Sequence, residues 1–115
     1  MKRGELYIAN LKPGSGSEQR GRRPVVILSH DGFNQTASWR SIIVIPISTS
    51  NAQAKRGATA VFLPAGTGGL TTDSVALCHQ ITTLDRSKLT KYIGKLPTDL
   101  LEQVEKGLKV AVDLQ

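Results

Sequence analysis

The chain has 115 residues, enough for one domain with one modest core, and its 39% hydrophobic content suits a globular protein. No stretch approaches the length of a membrane span, and Met1-Lys2-Arg3-Gly4-Glu5-Leu6 lacks the apolar run of a signal peptide. The formal net charge is +6, and residues 1–57 hold nine Lys or Arg against Glu5, Glu18 and Asp31, whereas residues 58–115 hold six against six, so the excess lies in the first half. A one-sided excess of this kind attracts polyanions and acidic partners.

In chain order, Glu5 to Asn10 alternates enough to form a first strand. A long basic, glycine-rich loop follows from about Lys12 to Arg23. It contains Gly16-Ser17-Glu18-Gln19-Arg20-Gly21-Arg22-Arg23, and loops of that length tend to be functional or mobile. Pro24 to Ser29 is a second strand, apolar on both faces and therefore central, with Pro24 at its first residue, where a missing N–H is tolerated. His30 to Ser41 is a polar connection with room for a short helical turn. Ile42 to Ile47 is a third strand, in which Pro46 signals a bulge or an end.

Ser48 to Gly57 is a second polar loop carrying Lys55 and Arg56. Ala58 to Leu63 is expected as a fourth strand, Pro64 to Gly69 as a turn, and Ser74 to Cys78 as a fifth strand. A helical turn near Arg86–Leu89 precedes a sixth strand at Tyr92–Leu96. From Pro97 or Thr98 the period changes: Leu101, Val104, Leu108 and Ala111 recur at three and four, with Thr98 as N-cap. The pattern predicts a mainly β fold with one C-terminal helix, a small, strongly curved antiparallel sheet or barrel spanning residues 1–115 as a single domain. Cys78, the only cysteine, excludes an intrachain disulfide and fits a buried small apolar residue in a reducing cytoplasm.

Metal chemistry is poorly served by this sequence. His30 and His79 are far apart, cysteine is not paired, and no carboxylates cluster at ligand spacing, so neither a metal nor a cofactor is expected. Gly14-Ser15-Gly16-Ser17 follows a strand and precedes no helix, so it is not a nucleotide loop. A Ser-His-Asp triad stays open, although nothing resembles a nucleophile elbow. What remains is arginines and hydroxyls at loop–strand junctions: Arg20, Arg22, Arg23, Ser48 and Thr49. A guanidinium offers a planar fork of donors to phosphate oxygens. RNA brings its own nucleophile, the 2′-hydroxyl, so a protein need only hold the nucleotide in line and stabilise charge on the phosphorane. A guanidinium does the second but is a poor general base; Ser48, water or His79 would move the proton.

Four segments carry a resemblance: Gly16-Ser17-Glu18-Gln19 with Arg23-Pro24, Pro46-Ile47-Ser48-Thr49, Asp73-Ser74-Val75, and Gln80-Ile81-Thr82-Thr83-Leu84-Asp85. Together they resemble the MazF/PemK family of toxin endoribonucleases over nearly the whole chain. The resemblance implies an SH3-like barrel of the CcdB/PemK type, working as a cytoplasmic homodimer. It implies metal-independent cleavage of single-stranded RNA at a short sequence, leaving a 2′,3′-cyclic phosphate and a 5′-hydroxyl. It also implies neutralisation by an acidic, MazE-like antitoxin whose tail lies across the RNA groove. By the same resemblance Arg23 and Ser48 are the catalytic residues. Glu18 and Gln19 match a loop near the RNA, and Ser74, His79 and Gln80 match positions that hold or read bases. Arg20, Arg22 and Thr49 are added as RNA contacts.

Three positions depart from the family pattern. Ser48 replaces a threonine, keeping the hydroxyl with a less restricted rotamer. His79 stands where an acidic residue is common, which bears on the pH profile because imidazole titrates near neutrality. Thr82 stands where many relatives carry arginine. Each site residue also has a plainer reading. Arg23 would pair with a rim carboxylate, Ser48 would bond its own backbone at a turn, and Arg20 and Arg22 would be solvated loop charges. His79 would be a hydrogen-bonded structural residue. Phe33 and Trp39 could stack on bases, although a core or dimer-interface role is the leading expectation. Two other functions compete. A non-enzymatic CcdB-type toxin acting on DNA gyrase would need a C-terminal Trp-Gly-Ile, where this sequence has Asp113-Leu114-Gln115. A catalytically silent relative would bind RNA or antitoxin in a salt-sensitive way without product.

Overall fold

A computed structural model of the chain describes residues 1–11, 21–49 and 57–115. Strand β1 (Glu5–Leu11) pairs antiparallel with β2 (Gly21–Ile27), whose apolar second half is buried on both faces as its composition requires. A single helical turn, α1 (Asp31–Asn34), leads to β3 (Ser41–Ser48). The short strands β4 (Ala60–Leu63) and β5 (Ser74–Leu77) pair with each other, and β6 (Thr82–Asp85) and β7 (Leu89–Lys95) complete the sheet. Helix α2 (Thr98–Ala111) ends the fold.

The strand order is β4-β5-β3-β2-β1-β7, with β6 also on β3. Strand β3 is the hinge of this arrangement. On one side it holds β2 through Val44–Pro46. On the other it holds β6 through Ser41–Val44 and then β5 through Ile47–Ser48. Pro46 falls between those two neighbours, so its missing N–H costs no ladder bond. The expected bulge or end at Pro46 is therefore a change of partner within a continuous strand.

Register shifts between Leu6 and Tyr7 and between Ile8 and Ala9 bend β1 against β7. The sheet curls strongly, but among the described residues its end strands β4 and β7 are not joined by a ladder. A 3-10 turn at Thr67–Gly69 fills that gap instead. It approaches so closely that a Cβ on Gly94 would collide with the backbone of Gly68. The expected barrel is thus incompletely closed.

Each face of the sheet has a core. The larger one joins Leu6, Val26, Ile45, Ile47, Leu63 and Val104 and is covered by α2. The smaller one joins Ala9, Leu11, Val25, Ile27, Ile42 and Val44, with Leu84 and Leu89 packed against it. Burial of each such aliphatic side chain stabilises the fold by about 1.5–3 kcal/mol. Helix α2 buries Val104 completely and half-buries Leu101 and Leu108, the face read from the periodicity. Gly107 lets the helix approach the sheet; a Cβ there would lie 2.8 Å from the Cys78 sulfur.

Several expected boundaries move. Strand β2 begins at Gly21, so Arg22 and Arg23 are strand residues rather than loop residues. Ser48 closes β3 instead of opening a loop, and β4 starts at Ala60 after a 3-10 turn at Gly57–Thr59. Strand β5 stops at Leu77, and β7 starts at Leu89 rather than at Tyr92. Pro97, not Thr98, is the N-cap of α2, and no side chain caps it; Thr98 is the first helical residue. Strand β6 has no counterpart in the sequence reading.

Candidate functional site

Arg23 is positioned by β2, where it pairs in register with Ala9 of β1 and is exposed. The β2–β3 register sets Val25 opposite Pro46, and continuing it by two residues brings Arg23 level with Ser48. Alternation along a strand places Arg23 on the face of Val25 and Ile27, and Ser48 on the face of Ile42 and Val44. These are the same face, that of the smaller core. A guanidinium and a hydroxyl far apart in sequence thus fall on one face of two adjacent strands, each two residues beyond the Val25–Pro46 pair. Ser48 is only 4% exposed, so its hydroxyl sits in the wall of the site rather than in bulk water.

A groove of about 540 Å³ opens beside them, lined by Leu11, Pro46, His79, Gln80, Thr82 and Lys88 among others. Pro46 connects the two parts, since it lines the groove and pairs with Val25 two residues from Arg23. His79 and Gln80 reach the groove from a 3-10 turn that follows β5. His79 is exposed, with Nδ1 3.5 Å from the Thr59 hydroxyl.

The other site candidates divide. Arg22 neighbours Arg23 along the same strand and so points to the opposite face; it is paired in register with Asn10. Thr49 lies exposed just past β3. Ser74 is 4% exposed, and its hydroxyl donates to the Thr72 carbonyl at 2.9 Å, a local turn bond that uses its donor. Glu18, Gln19 and Arg20 lie outside the described residues.

Asp85, which lines the groove, belongs to a network that the sequence reading missed. Asp85, last in β6, accepts from Arg40 Nε at 3.3 Å and Nη2 at 3.0 Å, and from the Ser87 amide at 2.9 Å. The Arg40 guanidinium first, and then Ser87, hold its carboxyl well below the usual carboxylate range. The next residue, Arg86, donates to four carbonyls of the connection after β2: Trp39 at 2.9 Å, Asn34 at 2.8 Å, Phe33 at 3.1 Å and Thr36 at 2.9 Å. One side chain caps the open end of α1 and ties it to β6. Below it Asn34, 1% exposed, donates to the Ser29 carbonyl at 2.6 Å and accepts from the Ser29 hydroxyl at 2.5 Å. Local sequence offered one signal for β6, the β-branched pair Thr82-Thr83; nothing local marks the reach of Arg86 across 47 to 53 residues.

Cys78 is fully buried and its thiol is pushed up to about 11 by desolvation, which suits the packing role expected of it and not a nucleophile.

Residues 2–112 match the family of PemK-like, MazF-like toxins of type II toxin–antitoxin systems. Endoribonuclease MazF6 of Mycobacterium tuberculosis is 38% identical over 114 residues, covering 99% of this chain and 98% of the relative. Among solved structures, MazF of Deinococcus radiodurans superposes with a TM-score of 0.80 at 29% identity, covering 99% of this chain and 97% of the other. The MazE–MazF complex of the same organism gives 0.75 at 27% identity, covering 100% and 98%. With a curled antiparallel sheet, a C-terminal helix and a family match over residues 2–112, this chain belongs to the PemK-like, MazF-like family of toxins of type II toxin–antitoxin systems.

Proposed function

We propose that the chain, acting as a single toxin domain over residues 1–115, is a metal-independent, sequence-specific endoribonuclease that cuts single-stranded RNA. The observation that carries this is the alignment of Arg23 with Ser48 on one face, beside a groove that His79 and Gln80 also line. The substrate's 2′-oxygen attacks the adjacent phosphorus, the bond to the 5′-oxygen breaks, and the proton lost by the 2′-hydroxyl is matched by one gained at the leaving oxygen. The products are a 2′,3′-cyclic phosphate and a 5′-hydroxyl. Arg23 stabilises the charge that builds on the phosphorane oxygens. Ser48 holds the phosphate or the moving proton by a hydrogen bond from the wall of the site. Gln80 and His79 hold bases in the groove, with Arg22, Ser74 and Thr49 in supporting positions and Glu18, Gln19 and Arg20, outside the described residues, as further RNA contacts. The protein works in the cytoplasm as a homodimer, and an acidic MazE-like antitoxin covers the basic surface. No helix of the described residues is long and apolar enough to cross a membrane.

The test is incubation of purified protein with a long single-stranded RNA in EDTA, followed by mapping of cut sites and end groups. Discrete cuts with cyclic-phosphate ends, abolished by Arg23→Ala, are expected. Intact RNA across several sequences, with the protein folded, would overturn the nuclease reading in favour of a silent binder.

A further inference from the structure

Phe33 and Trp39 stack on one another with centroids 4.5 Å apart and planes at 27°, yet the residues remain 46% and 43% exposed. That exposure removes the core role expected of them from the sequence. The pair is also rigidly mounted. The Trp39 indole N–H donates to the Ser41 carbonyl at 2.7 Å, and Arg86 holds the backbone carbonyls of both aromatic residues. Large flat side chains fixed before binding lose little freedom when a ligand covers them.

Their position is equally informative. Trp39 is followed by Arg40, whose guanidinium bonds Asp85, and Asp85 lines the groove. The Arg40–Asp85 ion pair, and Arg86 next to Asp85, therefore tether the segment that carries the rings to a wall of the groove. Arg40 is paired with the Asp85 carboxylate, while Arg86, bonded to neutral carbonyls, and Lys88 of the groove add cationic charge. Flat apolar rings beside surplus positive charge match the alternation of base and phosphate in a single strand.

We propose that Phe33 and Trp39 form a stacking platform for a nucleobase of bound single-stranded RNA, extending the groove past Asp85; this rests on the ribonuclease reading above. The platform takes any base, because every base has a π-face, so it contributes affinity and reach without setting the cleavage sequence.

Trp39 is the only tryptophan of the chain, so its emission reports on the platform alone. The experiment titrates the Arg23→Ala protein with a labelled single-stranded RNA of about twelve nucleotides, following anisotropy and Trp39 emission together. Quenching of Trp39 with the same midpoint as the anisotropy change is expected. Phe33→Ala in that background should weaken binding by about tenfold, and Trp39→Phe, which keeps a ring, by less. RNA binding with unchanged Trp39 emission overturns the platform, a result that needs no platform variant to fold. Loss of self-association in Phe33→Ala at unchanged RNA affinity also overturns it and assigns the rings to a protein interface. Absence of any RNA binding, in the wild-type protein as well, overturns both this proposal and the ribonuclease reading.

Discussion

Two arginines in this fold serve opposite ends. Arg86 is half-buried and donates to four backbone carbonyls, so its guanidinium holds a connection in place. Arg23 is exposed on a paired strand, two residues from Val25, which pairs with the groove-lining Pro46. The same functional group thus staples a loop in one region and, in the proposed mechanism, stabilises a substrate phosphate in the other. What separates the roles is the surroundings. Uncapped carbonyls at the end of a helical turn need donors, whereas the rim of an open groove in a basic half-chain draws an anion.

Substitutions at the two positions should therefore give opposite signatures. Arg23→Ala is expected to lower cleavage by about 10²–10³, the effect of removing a charge-stabilising donor, while the melting temperature changes little. A variant that cuts RNA at the wild-type rate would remove Arg23 from the mechanism. Arg86→Ala should do the reverse, costing about 2 kcal/mol and lowering the melting temperature by roughly 10 °C. Arg86→Lys should recover little, since an ammonium cannot span four carbonyls in a plane. Equal melting curves for wild type and Arg86→Ala would show the staple to be dispensable.

Ser48→Ala should slow cleavage by less than Arg23→Ala, about tenfold, because water can take over part of the hydrogen bonding. Single-turnover rates for both variants rank the two groups; a larger loss for Ser48→Ala would make the hydroxyl the principal catalytic group.

The smallest effect belongs to the neighbour of Arg86. The Asp85 carboxyl is held below its ordinary value in the folded chain, so the unfolded chain binds the proton more readily. Its contribution is present above about pH 4 and is lost as pH falls further, with stability falling alongside. Asp85→Asn should accordingly flatten the acid limb of a stability–pH curve slightly, and an unchanged limb would leave the Arg40–Asp85 pair without a stabilising role.

Much of the scaffold could be read locally. The two-sided apolar runs of β2 and β3 announce central strands, and the three–four spacing of Leu101, Val104 and Leu108 announces the covered face of α2. The boundaries that moved did so where pairing overrides composition. Gly21-Arg22-Arg23 is polar and reads as loop, but β1 supplies a partner for each of its residues. Thr98 has the chemistry of a cap, but Pro97 already occupies that position with its fixed backbone angle.

Sequence alone determined the fold class, the basic bias of the first half and the residue types able to act on a phosphate, because hydrophobic period, charge and side-chain chemistry are local properties. The register that sets Arg23 level with Ser48, the existence of β6, the four-carbonyl staple of Arg86 and the exposure of the Phe33–Trp39 stack were decided only by the tertiary structure. Each depends on strand register or on a contact between residues distant in the chain, and such pairings are fixed by the packing of whole elements rather than by any short stretch of residues.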